Sequence, residues 1–149
     1  MYHNILVPID GTEIGELGLR EAIGLARGSG SRIRLLHVID KAPGDAPSSA
    51  PGAPGEWTAQ TRSNGEMVIH DAKTAVRSAG IEVDDRLIEA IGERVGPFVI
   101  SAAADWPAQL IVCGTHGRRG LSRMLLGSDA EYIVRHSTVP VLLVRGQPE

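Results

Sequence analysis

The run His3-Asn4-Ile5-Leu6-Val7-Pro8-Ile9, ending at Asp10-Gly11, is rich in β-branched residues and apolar on both faces. A half-exposed strand alternates apolar and polar residues, whereas a strand covered on both sides does not. This run therefore predicts a strand buried inside a parallel sheet. Pro8 cannot donate to a ladder, so it fits only where pairing stops or bulges. Parallel neighbours need helical crossovers, and the rest of the sequence supplies them.

Thr12 or Asp10 can cap a helix from Glu13 to Arg27, with Ile14, Leu17, Ala22, Ile23, Leu25 and Ala26 near helical spacing and Gly28 and Gly30 as its stop. Arg32 to Ile39 reads as a second strand. The composition then shifts to a Pro/Ala/Gly-rich stretch, about residues 41–56, which lacks periodicity and is expected to be a flexible loop within a single domain spanning 1–149. A helix is expected to begin between Glu56 and Ser63 and to end at Gly80. Ser63-Asn64-Gly65-Glu66 offers a capping-box start for it.

Ile81 to Ile88 alternates apolar and charged residues, as an edge strand with one solvated side would, although Asp85 interrupts the apolar set. Glu93 to Asp105 reads as a helix that tolerates Pro97 in its first turn. Gln109 to Gly114 is a short strand, Asp129 to His136 a helix, and Val139 to Arg145 a last strand. The fold class is α/β: a five-stranded parallel sheet, Rossmann-like, with helices on both faces and right-handed crossovers. Ligands in such folds bind beyond the carboxyl ends of the strands, where Asp10, Val38 and Gly114 are expected.

Between the fourth strand and the helix after it lies Cys113-Gly114-Thr115-His116-Gly117-Arg118-Arg119-Gly120, continuing to Gly127-Ser128. Strand, glycine-rich loop and helix start form a recipe for holding an anion. Glycines let the backbone approach closely, and unpaired amides at the helix start donate hydrogen bonds in a positive potential. Ser128 with Glu131 also reads as a capping box, a role compatible with phosphate binding. Arg118 and Arg119 are either solvated loop charges or phosphate clamps. Asp10 is either a helix cap or part of the ligand site. His116 lacks a Ser/His/Asp constellation and is expected at the solvent, while Cys113 is expected to behave as a small buried hydrophobe. His37 and His70 lack metal-ligand spacing, which argues against zinc.

The spacing Gly114-x2-Gly117-x9-Gly127-Ser128 resembles the nucleotide-binding pattern of the universal stress protein family, in its ATP-binding branch. The blocks Ile5 to Gly11, Leu36-His37-Val38-Ile39-Asp40 and Pro140 to Arg145 are similar to that family as well, and the likeness spans essentially the whole chain. The resemblance implies an adenine nucleotide alpha-hydrolase-like fold. It implies that Asp10 lies near the ribose and the metal-bound phosphates, and that Pro8 and Val38 line the adenine pocket, with Ile9 also counted among the nucleotide-binding residues. Gly114 would contact the ribose, Gly117, Gly127 and Ser128 would contact phosphate, and Thr115, His116, Arg118 and Asp129 are counted with them as nucleotide-binding residues. The cofactors implied are ATP and Mg, with Asp10 the possible metal contact. Asp129 departs from the small apolar residue usual after the serine. A carboxylate there suits a helix start but repels a triphosphate unless it points elsewhere or helps to hold magnesium.

The implied function is an ATP-binding regulatory homodimer in stress response, a weak ATPase at best, pairing through Val139 to Arg145 and acting on an unknown regulatory protein partner. The alternative is a homodimeric protein-interaction module that binds no nucleotide. A net charge of -3 and 3% aromatic residues disfavour a nucleic-acid surface. A single cysteine, no signal-like start and no long apolar stretch lead to the expectation of a cytoplasmic protein without membrane association.

Overall fold

The opening run forms β1 (Asn4–Pro8), in which Ile5, Leu6 and Val7 are each 0% exposed. The structure is a computed structural model that describes residues 1–41, 54–91, 93–116 and 126–146. The chain continues through α1 (Glu13–Ala26), β2 (Arg32–Lys41), α2 (Pro54–Ser78), β3 (Glu82–Ile91), α3 (Val95–Asp105), β4 (Leu110–Gly114), α4 (Ser128–His136) and β5 (Val141–Val144). All pairings are parallel and the spatial order is β3-β2-β1-β4-β5.

Successive residues of a strand face opposite sides, so each strand feeds two cores. On one side Ile5, Val7, Ile33, Leu35 and Val112 meet Leu19 and Ala22 of α1 and Ile69 and Val76 of α2. On the other, Leu6, Leu36, Val38 and Ile111 meet Val99 and Ala103 of α3 and Ile133 of α4. The α/β sheet covered on both faces is thus present.

Local starts and stops follow from short polar groups. Thr12 caps α1, its hydroxyl accepting from the Gly15 amide at 3.2 Å, and Asp10 in turn accepts from the Thr12 amide at 3.0 Å and from its hydroxyl at 2.5 Å. At the other end Gly28 takes φ +71, a left-handed conformation that suits glycine.

Three expectations are corrected. First, α2 runs unbroken through Ser63-Asn64-Gly65-Glu66, so no helix start lies there. Gly65 is buried against β2, where a Cβ would meet Ile39 Cδ1 at 3.0 Å. The glycine marks a close helix–sheet approach rather than a turn. Second, β2 and β3 are both longer than expected, because they pair with each other from Arg32↔Glu82 to Lys41↔Ile91. Third, β5 is only Val141–Val144, starting after Pro140. The expected flexible segment of about residues 41–56 lies mostly outside the described residues; Lys41 ends β2 and Pro54 begins α2.

β3 is an edge strand, as its alternation foretold. Asp85 is accommodated toward α2, where Lys73 Nζ donates to its Oδ1 at 2.6 Å. On the opposite face Arg34 forks onto both Asp84 oxygens at 2.6 and 2.7 Å, while its guanidinium lies 4.7 Å from the centre of the buried Trp106 ring. The Arg34 hydrogen bond holds the Asp84 carboxyl below the usual carboxylate range. A carboxyl lowered in the folded state adds stability above its unfolded value, about pH 4, and that stability is lost as pH falls through the folded value. Half of the Asp84 side chain is exposed, so after solvent screening the contribution is at most about 1 kcal/mol. Asp84→Asn is expected to lower stability modestly at neutral pH and to lose part of the acid-side decline. Urea melts from pH 2 to 7 check this, and an acid limb identical to wild type would refute it.

Candidate functional site

The sheet order places the reversal of strand order between β1 and β4. The chain builds outward from β1 to β2 and β3, then returns to add β4 and β5 on the other side. β1 and β4 are in register at Ile5↔Leu110 and Leu6↔Ile111, so their carboxyl ends open side by side. A crevice at such a reversal is where doubly wound sheets hold ligands. Asp10 leaves it from β1, and Gly114, Thr115 and His116 leave it from β4.

The β4 side is tightly built. The Thr115 amide donates to Val144 O at 3.0 Å, carrying the ladder one residue past β4, and Thr115 O accepts from the Gly127 amide at 2.8 Å. That bond brings the first turn of α4 back to the end of β4. Gly127 is needed there because a Cβ would sit 2.9 Å from Thr115 O. Gly114 is needed for a different reason: its Cβ would sit 2.5 Å from Ile14 Cγ2 of α1.

Gly127 is the N-cap of α4 and no side chain caps it. The expected Ser128–Glu131 capping box is therefore absent. Ser128 is already helical and exposed, and Glu131 pairs with Arg135 at 2.9 Å. The start of α4 presents backbone amides and the Ser128 hydroxyl, with a positive helix end behind them.

Asp129 has a definite destination. Its Oδ1 accepts from the Gly96 amide in the first turn of α3 at 3.0 Å, so one carboxylate oxygen is held by α3. Gly96 packs against Tyr132, where a Cβ would meet the ring carbon Cδ1 at 2.8 Å.

His116 is not the solvent-facing residue expected. Its Nδ1 lies 3.0 Å from Thr115 Oγ1, and its Nε2 is buried with no hydrogen-bond partner among the described residues. Thr115 itself is buried. Gly117, Arg118 and Arg119 lie outside the described residues. Cys113 is buried, and burial pushes its thiol up to about 12, far from a reactive thiolate.

On the β1 and β2 side, Pro8 ends the strand and Val38 lies two residues beyond its register partner Leu36. The Val38 side chain joins the core toward α3 and α4, whereas Ile9 joins the core toward α1 and α2. Ile9 is fixed through its backbone, its amide donating to Leu36 O at 2.8 Å and its carbonyl lying 2.7 Å from His37 Nδ1. A carbonyl only accepts, so Nδ1 of the buried His37 carries the hydrogen. This bond ties β2 to the turn that presents Asp10, a role that sequence spacing did not reveal. Asp10 is the one carboxylate at the end of β1. No group of three or more His, Cys, Asp or Glu among the described residues could hold a metal ion.

Arg94 was also missed. It is the N-cap residue of α3, yet its Nη2 donates to Ser128 O of α4 at 3.2 Å and its guanidinium lies 5.6 Å from the Tyr132 ring centre.

The universal stress protein family model matches residues 1–145. A putative universal stress protein from Staphylococcus epidermidis is 31% identical over 145 residues, covering 97% of this chain and 84% of its own length. A solved universal stress family protein from Burkholderia pseudomallei is 30% identical, with a TM-score of 0.76 and 97% of both chains covered. At lower identity, 21%, the Archaeoglobus fulgidus universal stress protein solved with dAMP shares the fold at a TM-score of 0.70, covering 97% of this chain and 98% of its own. A universal stress protein solved with cAMP is 19% identical at a TM-score of 0.68, with 97% of both chains covered. Among the described residues, no helix is long and apolar enough to cross a membrane.

Proposed function

The chain belongs to the universal stress protein family, and on that premise we propose that it is an ATP-binding regulatory homodimer that binds its nucleotide at the carboxyl ends of β1 and β4. The observation that carries this reading is the Gly127 amide bond to Thr115 O, which sets the uncapped start of α4 beside the strand-order reversal. Phosphate would rest on the amides and hydroxyl of Ser128, and the sugar and base would lie toward Gly114, Asp10, Pro8 and Val38. Asp10 would face a magnesium ion carried by the phosphates. Relatives of the same fold solved with dAMP and cAMP support an adenine nucleotide. Hydrolysis is expected to be at most slow, because Asp10 is engaged by the Thr12 amide and hydroxyl.

β5 is the other sheet edge, and all four of its apolar residues are partly exposed. Left open, such an edge invites pairing, and we assign it, within Val139 to Arg145, to a second copy of the chain. The protein would act in the cytoplasm, signalling nucleotide state to a regulatory partner.

A second reading, a homodimeric interaction module without nucleotide, draws on one observation: the Gly127 amide already has an acceptor within the protein. Titration calorimetry with ATP-magnesium separates the two. Saturable binding is expected; no heat at millimolar nucleotide, weaker than about 4 kcal/mol, would remove the first reading. Sedimentation of the same sample at micromolar concentration is expected to give a dimer mass, and a monomer would contradict the β5 assignment.

A further inference from the structure

We propose that Arg94 contacts the phosphate of the bound nucleotide and sets a preference for charged over uncharged adenosine compounds. The inference rests on the nucleotide site proposed above.

α3 and α4 start at the same place. The Arg94 N-cap of α3 and the Gly127 N-cap of α4 both lack a side-chain cap, and the first turn of α3 contains no acidic residue. Two positive helix ends therefore converge at the carboxyl side of the sheet. The guanidinium of Arg94 is held beside them by Ser128 O and the Tyr132 ring. No carboxylate lies within ion-pair distance of it among the described residues, whereas Arg34, Arg62 and Arg135 each have one.

A cation placed at two helix starts runs against the usual dipole preference unless an anion joins it. The nearest acidic residue on α4, Asp129, holds the Gly96 amide and offsets only part of this charge. Glu131, one turn along, is paired with Arg135. A phosphate on the Ser128 amide would complete the balance, and among the described residues the Arg94 fork makes one hydrogen bond, to Ser128 O, which leaves N–H groups to meet it. The guanidinium suits phosphate through planar, two-point hydrogen bonding.

The test is titration of wild type, Arg94→Gln and Arg94→Lys with adenosine, AMP and ATP at two salt concentrations, with thermal melts alongside. Arg94→Gln is expected to weaken AMP and ATP by roughly tenfold, the loss of one charge-assisted hydrogen bond, and to leave adenosine unchanged. Its ATP affinity should also depend less on salt than that of wild type. Arg94→Lys should recover part of the loss. Equal weakening of all three ligands, or a lowered melting point that accounts for the change, would show a structural role and overturn the proposal. Unchanged ATP binding in Arg94→Gln would overturn it while leaving the nucleotide site standing. Failure of wild type to bind any of the three would remove the site and this inference together.

Discussion

Gly114→Val is expected to destabilise the domain by about 3 kcal/mol, the upper end for overpacking, and to lower its melting point by roughly 6–12 °C. A Cβ at this position meets Ile14 Cγ2 at 2.5 Å and the Ile14 carbonyl oxygen at 3.2 Å. Ile14 is β-branched, so its side chain has few rotamers into which to retreat. Relief must come from moving α1 off β4, and α1 is also packed on β1 through Leu19 and Ala22. Calorimetric melting of the variant checks the expectation. A melting point equal to wild type would mean that α1 slides freely, contrary to the packing described.

Gly127→Val is expected to do the reverse, leaving the fold and removing the ligand. Its Cβ would meet Thr115 O at 2.9 Å, a backbone atom that cannot swing aside. The contact is confined to the connection between β4 and α4, so the two cores are untouched. The start of α4 is pushed from the end of β4, and its amides lose their aim. Losing two hydrogen bonds to a charged phosphate, each worth about 1.5 kcal/mol or more, weakens nucleotide binding by roughly 100-fold. The measurement pairs titration calorimetry with thermal melting. Wild-type affinity would refute the role of the loop geometry, and global unfolding would refute its separation from the core. The two glycines thus belong to one spacing pattern for different physical reasons.

The sheet was legible because its signals are local. His3 to Ile9 reads as apolar on both faces and Ile81 to Ile88 as an edge, and both hold in the structure; of Thr12 and Asp10, the two possible caps, Thr12 is the one that caps α1. What was misread depended on distant contacts. Ser63-Asn64-Gly65-Glu66 has the letters of a helix start, but Gly65 is a packing residue against Ile39 and His37. Ser128 and Glu131 have the letters of a capping box, but the Thr115 carbonyl fixes the cap one residue earlier. Arg94 and Ser128 are 34 positions apart, Gly96 and Asp129 are 33 apart, and no periodicity connects them. The worry over Asp129 came from treating α4 alone; the α3 amide supplies a partner for it.

The register of β1 also bears on how the molecule comes to exist. β1 reaches β2 after a single crossover, at Asn4↔Arg32, but reaches β4 only at Ile5↔Leu110. Contacts so far apart in sequence form late, because a long stretch of chain must be ordered before they repay its lost entropy. During synthesis β1, β2 and β3 can assemble while the other flank of β1 still waits for a neighbour. The cleft between β1 and β4 is then expected among the last parts to be built, and a chain released before residue 110 lacks β4 and with it the proposed nucleotide site.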